Sequence, residues 1–210
     1  MTQFLVVFDV DSTLIEDEVI ELLADVAGKR AEVAAVTERA MAGELDFAES
    51  LIERVKTLAG LPDSVFADVQ KRITITTGAK QLIDAVHAAG GKVGAVSGGF
   101  NQLLTPLAQI LELDFARANQ LEVVDGFLTG KVLGAIVDRQ AKADALLEWA
   151  AATSTPIENT VAVGDGANDL SMMAVAGLGV GFNCKPIVRE HADFILEGHD
   201  LSKLTEKLGL

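Results

Sequence analysis

The sequence predicts an α/β protein, a doubly wound parallel sheet with a small helical cap domain inserted after its first strand. Three observations point there. A short apolar run rich in β-branched residues, Phe4–Phe8, ends abruptly at Asp9. From residue 78 onward, strand-like and helix-like segments mostly alternate, as they do in a sheet covered on both faces. Residues 16–74 are helical in pattern and interrupt that alternation. The expected division is a core of residues 1–15 and 75–210 and a cap of residues 16–74.

Each element has its own signal. The cap block is broken near Gly28 and Gly43, and Asp46-Phe47-Ala48-Glu49 has the form of a capping box opening a helix. Leu61-Pro62-Asp63 ends that helix and caps another running to about Arg72. Gly78–Ala89 reads as a helix stopped by Gly90-Gly91. Lys92–Val96 is a strand ending at Ser97-Gly98-Gly99, and Phe100–Leu111 a helix that Pro106 either kinks or starts anew. Leu121–Val124 and Phe127–Val132 flank Asp125-Gly126, a hairpin signal. The helix Ala141–Ala152, strand Val161–Val163, helix Ser171–Ala176, strands Leu178–Phe182 and Phe194–Leu196 and a terminal helix complete the series.

Composition narrows the function. With 210 residues, 50% of them hydrophobic, the chain can bury a sizeable core. The net charge of −14 argues against a nucleic-acid partner, because phosphate backbones demand a basic face. No apolar run approaches the ~20 residues that span a bilayer, and no basic leader precedes the first apolar segment, so no membrane association and a cytoplasmic location are expected. One cysteine, Cys184, excludes an internal disulfide, and three scattered histidines offer no zinc spacing.

In an open parallel sheet, ligands bind beyond the carboxyl ends of the strands. Three predicted strands end in Asp9-Val10-Asp11-Ser12-Thr13, Ser97-Gly98-Gly99 and Gly164-Asp165-Gly166-Ala167-Asn168-Asp169, and Lys142 opens the helix between the last two. The spacing of Asp9 and Asp11 puts both side chains on one side of an extended chain. Asp165 and Asp169 bring two further carboxylates to the same edge. Four acids together call for a divalent cation, and an oxygen-only donor set favours Mg²⁺. Ser97, the open backbone after it and Lys142 suit a phosphate. Alone, the Asp9/Asp11 pair, Ser97-Gly98-Gly99 and Lys142 are each more often a turn, a cap or a solvated residue, while the rarer run 164–169 divides evenly between structure and function; their joint order is what points to phosphoryl transfer. There is no GxxxxGK[ST] loop, and Asp169 stands where a dinucleotide fingerprint has its third glycine.

In the cap, Phe47, Leu51, Arg54 and Leu58 share one helix face, so Arg54 lies on an apolar seam. No acid stands three or four residues from it. A substrate carboxylate would fit the guanidinium. A guanidinium directed to solvent, or paired with another acid of the cap, is the competing reading.

Taken together, Asp9-Val10-Asp11-Ser12-Thr13, Ser97, Lys142 and the run 164–169 resemble, in order, the four motifs of haloacid-dehalogenase-type phosphatases. The resemblance covers almost the entire chain. It implies a Rossmann-like core, with Asp9 as nucleophile and Asp11 as general acid and then base. Mg²⁺ would be held by Asp9, the backbone carbonyl of Asp11 and Asp165, with Asp169 in support. Ser97, Gly98 and Lys142 would bind the phosphoryl group, with Asn168 beside it. The cap run Met41–Phe47, with Ser50, Leu51, Arg54 and Val55, is similar to the phosphoserine phosphatase branch. That likeness implies a serine pocket of Glu18, Met41, Phe47 and Arg54, and a small phosphate ester, O-phospho-L-serine, as substrate. Regulation through an extra N-terminal amino-acid-binding domain, carried by some longer relatives, is not expected. The same motifs would also serve transfer to an alcohol such as homoserine, hydrolysis of another small phosphate ester, or a non-catalytic Mg²⁺- or phosphate-binding regulator.

Overall fold

A computed structural model describes residues 4–41 and 44–210. The sheet is built from β1 (Leu5–Phe8), β2 (Lys92–Phe100), β3 (Phe115–Val124), β4 (Phe127–Leu133), β5 (Thr160–Gly164), β6 (Leu178–Phe182) and β7 (Phe194–Leu196). Its order is β4-β3-β2-β1-β5-β6-β7, parallel except for the antiparallel β3–β4 hairpin. β1 lies in the middle, and the chain winds outward from it in both directions. The carboxyl end of β1 is thus the topological switch point, and Asp9 sits on it.

β1 is fully buried because it is apolar on both faces. Val6 and Phe8 join the larger core cluster, while Leu5 and Val7 join the smaller one on the opposite face. Helices α5 (Ala79–Ala88) and α6 (Asn101–Leu111) cover the first face, and α7 (Arg139–Ala152) and α8 (Leu170–Val175) the second. Short helices α9 (Pro186–Arg189) and α10 (Leu204–Leu208) follow β6 and β7. No helix among the described residues is long and apolar enough to cross a membrane.

Between β1 and α5 the chain forms α1 (Val19–Val26), α2 (Arg30–Met41), α3 (Phe47–Lys56) and α4 (Val65–Gln70). The two crossings to this helical segment lie side by side. Ile15 and Ile75 form an antiparallel bridge, flanked by Glu16 N–H to Thr74 C=O at 2.9 Å and Thr76 N–H to Leu14 C=O at 3.0 Å. A second attachment joins residues 60–63 to the hairpin tip. Gly60 N–H donates to Leu128 C=O, and Leu128 N–H to Leu61 C=O, both at 2.8 Å. The helix at Phe47 starts with the expected reciprocal cap: Glu49 N–H donates to Asp46 Oδ1 at 2.8 Å and Asp46 N–H to Glu49 Oε2 at 3.0 Å. Asp46→Ala is expected to cost about 1 kcal/mol, visible as a lower urea midpoint at unchanged slope.

Two strands differ from the sequence reading. β2 runs on through the glycine pair to Phe100 instead of stopping at Val96, with a register shift between Val96 and Phe100. Asn119 carries the strand through this stretch: its amide donates to Gly98 C=O at 2.8 Å and its Oδ1 accepts from Val137 N–H at 2.8 Å. β3 begins at Phe115, well before Leu121, because its first half pairs with β2 and only its second half forms the hairpin. Pro106 is accommodated inside α6 without ending it.

Candidate active site

The carboxyl ends of β1, β2 and β5 converge beneath α1 and α3 on a cavity of 530 Å³. Its lining includes Asp9, Asp11, Glu18, Phe47, Arg54, Gly98, Asp165 and Asn168, all singled out from the sequence. Three more of those residues lie buried: Ser97, Lys142 and Asp169. The side chain of the remaining one, Met41, is outside the described residues.

Lys142 forms the foundation. Only 1% exposed, its Nζ donates to Asp9 Oδ1 at 2.5 Å and to Asp169 Oδ1 at 2.7 Å. Burial disfavours its charge, but Asp9 and Asp169 outweigh that and hold its pKa above the usual lysine value. Asp169 is pinned further by Gly166 N–H on Oδ2 at 3.1 Å. A side chain at Gly164 would meet that carboxylate at 2.4 Å, so Gly164 is what lets Asp169 approach the end of β5.

Asp9, Asp165 and Asp169 each bring a carboxylate oxygen within 4.8 Å of the others. Burial and the neighbouring Asp169 push the Asp9 carboxyl well above its usual pKa, against the pull of Lys142. Asp165 is likewise raised, first by burial, although Lys185 Nζ stands 3.3 Å from its Oδ2. Two of these carboxylates share one buried ammonium and the third has only the solvent-exposed Lys185, so an oxygen-only cluster short of positive charge fits a hard divalent cation.

Asp11 is reached by a single wide turn after β1, closed by Ile15 N–H to Val10 C=O at 3.0 Å, with Ser12 in the left-handed region at φ 57°. The turn aims the Asp11 carboxylate into the cavity, where Val19 N–H donates to Oδ1 at 2.8 Å and Ser97 Oγ to Oδ2 at 3.1 Å. Burial, then the charge of Glu18, push its pKa up to about 7. Glu18 in turn accepts from Ser12 Oγ at 2.8 Å.

Arg54 sits on the buried seam of α3 beside Leu51 and faces the cavity. Its Nε donates to Ser50 C=O at 3.2 Å. Among the described residues no carboxylate lies within ion-pair distance of it, while Glu18, Asp11 and Glu21 act on it from farther away. Burial lowers its pKa. Phe47, at the first turn of the same helix, packs directly over Gly98, where an added Cβ would meet its ring at 2.9 Å. Gly98→Ala is therefore expected to lift Phe47 from the strand end, raising KM more than it lowers kcat; equal effects on both would place the damage at the reaction centre.

Sequence reasoning missed the apolar lining of Val19, Ile20 and Phe100 and two cations, Arg139 and Lys185. Lys185 stands just beyond β6, so the strand-end rule applied to one more strand finds it. Arg139 lies in the first turn of a helix and carries no signal of its own.

Comparison with known proteins gives the same picture. Residues 6–174 match the haloacid dehalogenase-like hydrolase family. Phosphoserine phosphatase SerB2 of Mycobacterium tuberculosis is 53% identical over 209 residues, which span all of this chain but only 51% of that protein. Phosphoserine phosphatase of Streptococcus thermophilus is 52% identical over 97% of this chain and 95% of its own length. Among solved structures, a phospho-aspartyl intermediate analogue of phosphoserine phosphatase superposes with a TM-score of 0.92 at 42% identity, covering 99% of both chains. With a fold, four motifs and a full-length likeness in agreement, this chain belongs to the haloacid dehalogenase-like hydrolases, in the branch of the phosphoserine phosphatases.

Proposed function

We propose that the protein is a Mg²⁺-dependent phosphomonoesterase that hydrolyses O-phospho-L-serine to L-serine and phosphate. One observation carries the reading: a buried carboxylate, Asp9, is fixed by Lys142 at the floor of a cavity whose roof offers an arginine without an acid partner among the described residues. The geometry supports the following roles. Asp9 attacks phosphorus, forming an aspartyl-phosphate, while the bond from phosphorus to the seryl oxygen breaks. The departing oxygen takes its proton from Asp11, whose pKa of about 7 leaves much of it protonated at neutral pH. Asp11, now a carboxylate, then accepts a proton from water as that water attacks phosphorus. Cleavage of the bond between phosphorus and Asp9 releases phosphate and restores the carboxylate. Val19 N–H and Ser97 Oγ hold Asp11 on line for both transfers.

Ser97, Gly98 and Lys142 are assigned to the phosphoryl oxygens, with Asn168 alongside. Asp9, the carbonyl of Asp11 and Asp165 would hold Mg²⁺, with Asp169 supporting them; when bound, the ion supplies positive charge to the transferring phosphoryl group. Arg54 takes the substrate carboxylate and Glu18 its ammonium, with Phe47 and Met41 completing the pocket. Residues 16–74 act as a cap over the core of residues 1–15 and 75–210, excluding water from the first step and admitting it for the second. A cytoplasmic location belongs to the same reading; the lone free thiol of Cys184 suits a reducing compartment.

The test is phosphate release from phosphorylated amino acids, sugars and nucleotides, with and without Mg²⁺. Phosphoserine should be preferred, and chelation should stop turnover; indifference to chelation, or preference for a sugar phosphate, would overturn the proposal. Arg54→Ala should raise KM for phosphoserine roughly 10–100-fold, the worth of a charged bidentate contact, while phosphoethanolamine, which lacks the carboxylate, is little affected. Equal effects on the two esters would remove Arg54 from the carboxylate role.

A further inference from the structure

Charge sets a problem that the proposed function leaves open. The chain carries −14, and a phosphate monoester is itself a dianion near neutral pH, so the two repel at long range. Four carboxyl groups line the cavity, Asp9, Asp11, Glu18 and Asp165, and each adds negative charge in its ionised form. Three cations share the lining: Arg54, Arg139 and Lys185. The reading above uses Arg54 for a carboxylate and the buried Lys142 for the phosphoryl group. Arg139 and Lys185 are left without a task.

The arginines divide in an informative way. Arg30, Arg39, Arg72, Arg117 and Arg189 each stand within ion-pair distance of a carboxylate. Arg54 and Arg139 have no such partner among the described residues, and these two are the arginines that line the cavity. Arg139 is exposed in the first turn of α7, and its Nε donates to the neutral hydroxyl of Ser171 at 2.7 Å. That bond fixes the guanidinium without cancelling its charge. Lys185 is anchored at its backbone, where N–H donates to Asp165 C=O at 2.9 Å, while its side chain is 64% exposed. Its only ion-pair contact among the described residues is Asp165, a carboxylate already assigned to the metal.

We infer that Arg139 and Lys185 form a cationic rim that captures the phosphate dianion of the incoming ester and passes it inward to Ser97, Gly98 and Lys142. The inference rests on the phosphomonoesterase reading of the same cavity. Two unassigned cations at the mouth focus attraction where it is needed, inside a surface that is otherwise repulsive. No bond is made or broken at the rim.

The experiment uses the full chain with Mg²⁺ and phosphoserine. It compares wild type with the double variant Arg139→Gln/Lys185→Gln and the charge-keeping double variant Arg139→Lys/Lys185→Arg. The control is Lys71→Gln/Lys207→Gln, which lowers net charge equally at positions outside the cavity. At ~0.01 M ionic strength, where screening extends to about 30 Å, the Gln variant should lose about tenfold in kcat/KM with a much smaller change in kcat. The control and the charge-keeping variant should stay near wild type. At ~1 M salt, where screening acts within about 3 Å, the gap should close. Calorimetric binding of inorganic phosphate should weaken in the same variant with the same salt dependence. The rim is overturned if the Gln variant matches the control at low salt, if its deficit persists at high salt, or if the charge-keeping variant falls as far. Should wild type fail to hydrolyse phosphoserine, the proposed substrate is wrong, yet the phosphate-binding arm still decides whether the rim exists.

Discussion

Asp9→Asn should reduce turnover by at least about 10⁴-fold while leaving the fold in place. The substitution preserves shape and removes only the charge proposed to attack phosphorus. Lys142 keeps its contact with Asp169, so no buried ammonium is stranded. Stability should not suffer in the absence of Mg²⁺. The Asp9 carboxyl is pushed well above its usual pKa, by burial first and then by Asp169, so at neutral pH its ionised form weighs against folding. The thermal midpoint of metal-free Asp9→Asn is therefore expected at or above that of wild type. Phosphate release, circular dichroism and acid trapping of a phosphorylated protein check the three parts. Residual turnover within tenfold of wild type, or a phosphorylated Asp9→Asn protein, would end the nucleophile assignment.

Lys142→Ala carries the largest expected effect on stability. Removing the ammonium leaves Asp9 and Asp169 buried without the cation that joins them. Breaking a buried ion pair from one side costs about 3–5 kcal/mol, which for a chain of this size lowers the melting midpoint by roughly 10 °C. Turnover should fall by at least about 10²-fold from the lost phosphoryl contact alone. A double-mutant cycle separates charge from volume: adding Asp169→Asn to Lys142→Ala relieves part of the repulsion and should recover part of the stability. If the single variant melts with wild type, or the second substitution only adds to its loss, Lys142 does not neutralise the carboxylates.

Much of the fold was legible because strands buried on both faces leave a plain mark. β1 and β6 read directly as apolar runs bounded by polar strand ends. The acids at 9, 11, 165 and 169 stood out for a related reason, since charged residues directly after such strands have few structural uses. Legibility failed where one residue serves two partners. The first half of β3, Phe115–Gln120, mixes polar and apolar residues because its interior polar group, Asn119, is spent on Gly98 and Val137 rather than on water. Ser97-Gly98-Gly99 has the composition of a turn, yet the neighbouring strand and Asn119 hold it extended. Arg54 was readable as a buried cation on an apolar seam, but the absence of an acid partner required knowing what packs across from it. Lys185 and Arg139 were invisible for the opposite reason, because an exposed cation looks alike whether it faces a cavity or open solvent.

The antiparallel bridge of Ile15 with Ile75 has a consequence for how such a molecule can change. Departure and return are neighbours, so the helical excursion is a closed loop that meets the sheet at this bridge and again where residues 60–63 join the hairpin tip. Closure cost grows only slowly with contour, about 0.6 kcal/mol for each doubling, and excursions of other lengths can be carried without disturbing the seven-stranded platform. The excursion still touches the strand ends at fixed points, through Val19 N–H on Asp11 and Phe47 over Gly98. Insertions and deletions between Ile15 and Ile75 that spare those contacts can therefore reshape the cavity roof while the strand ends keep their geometry.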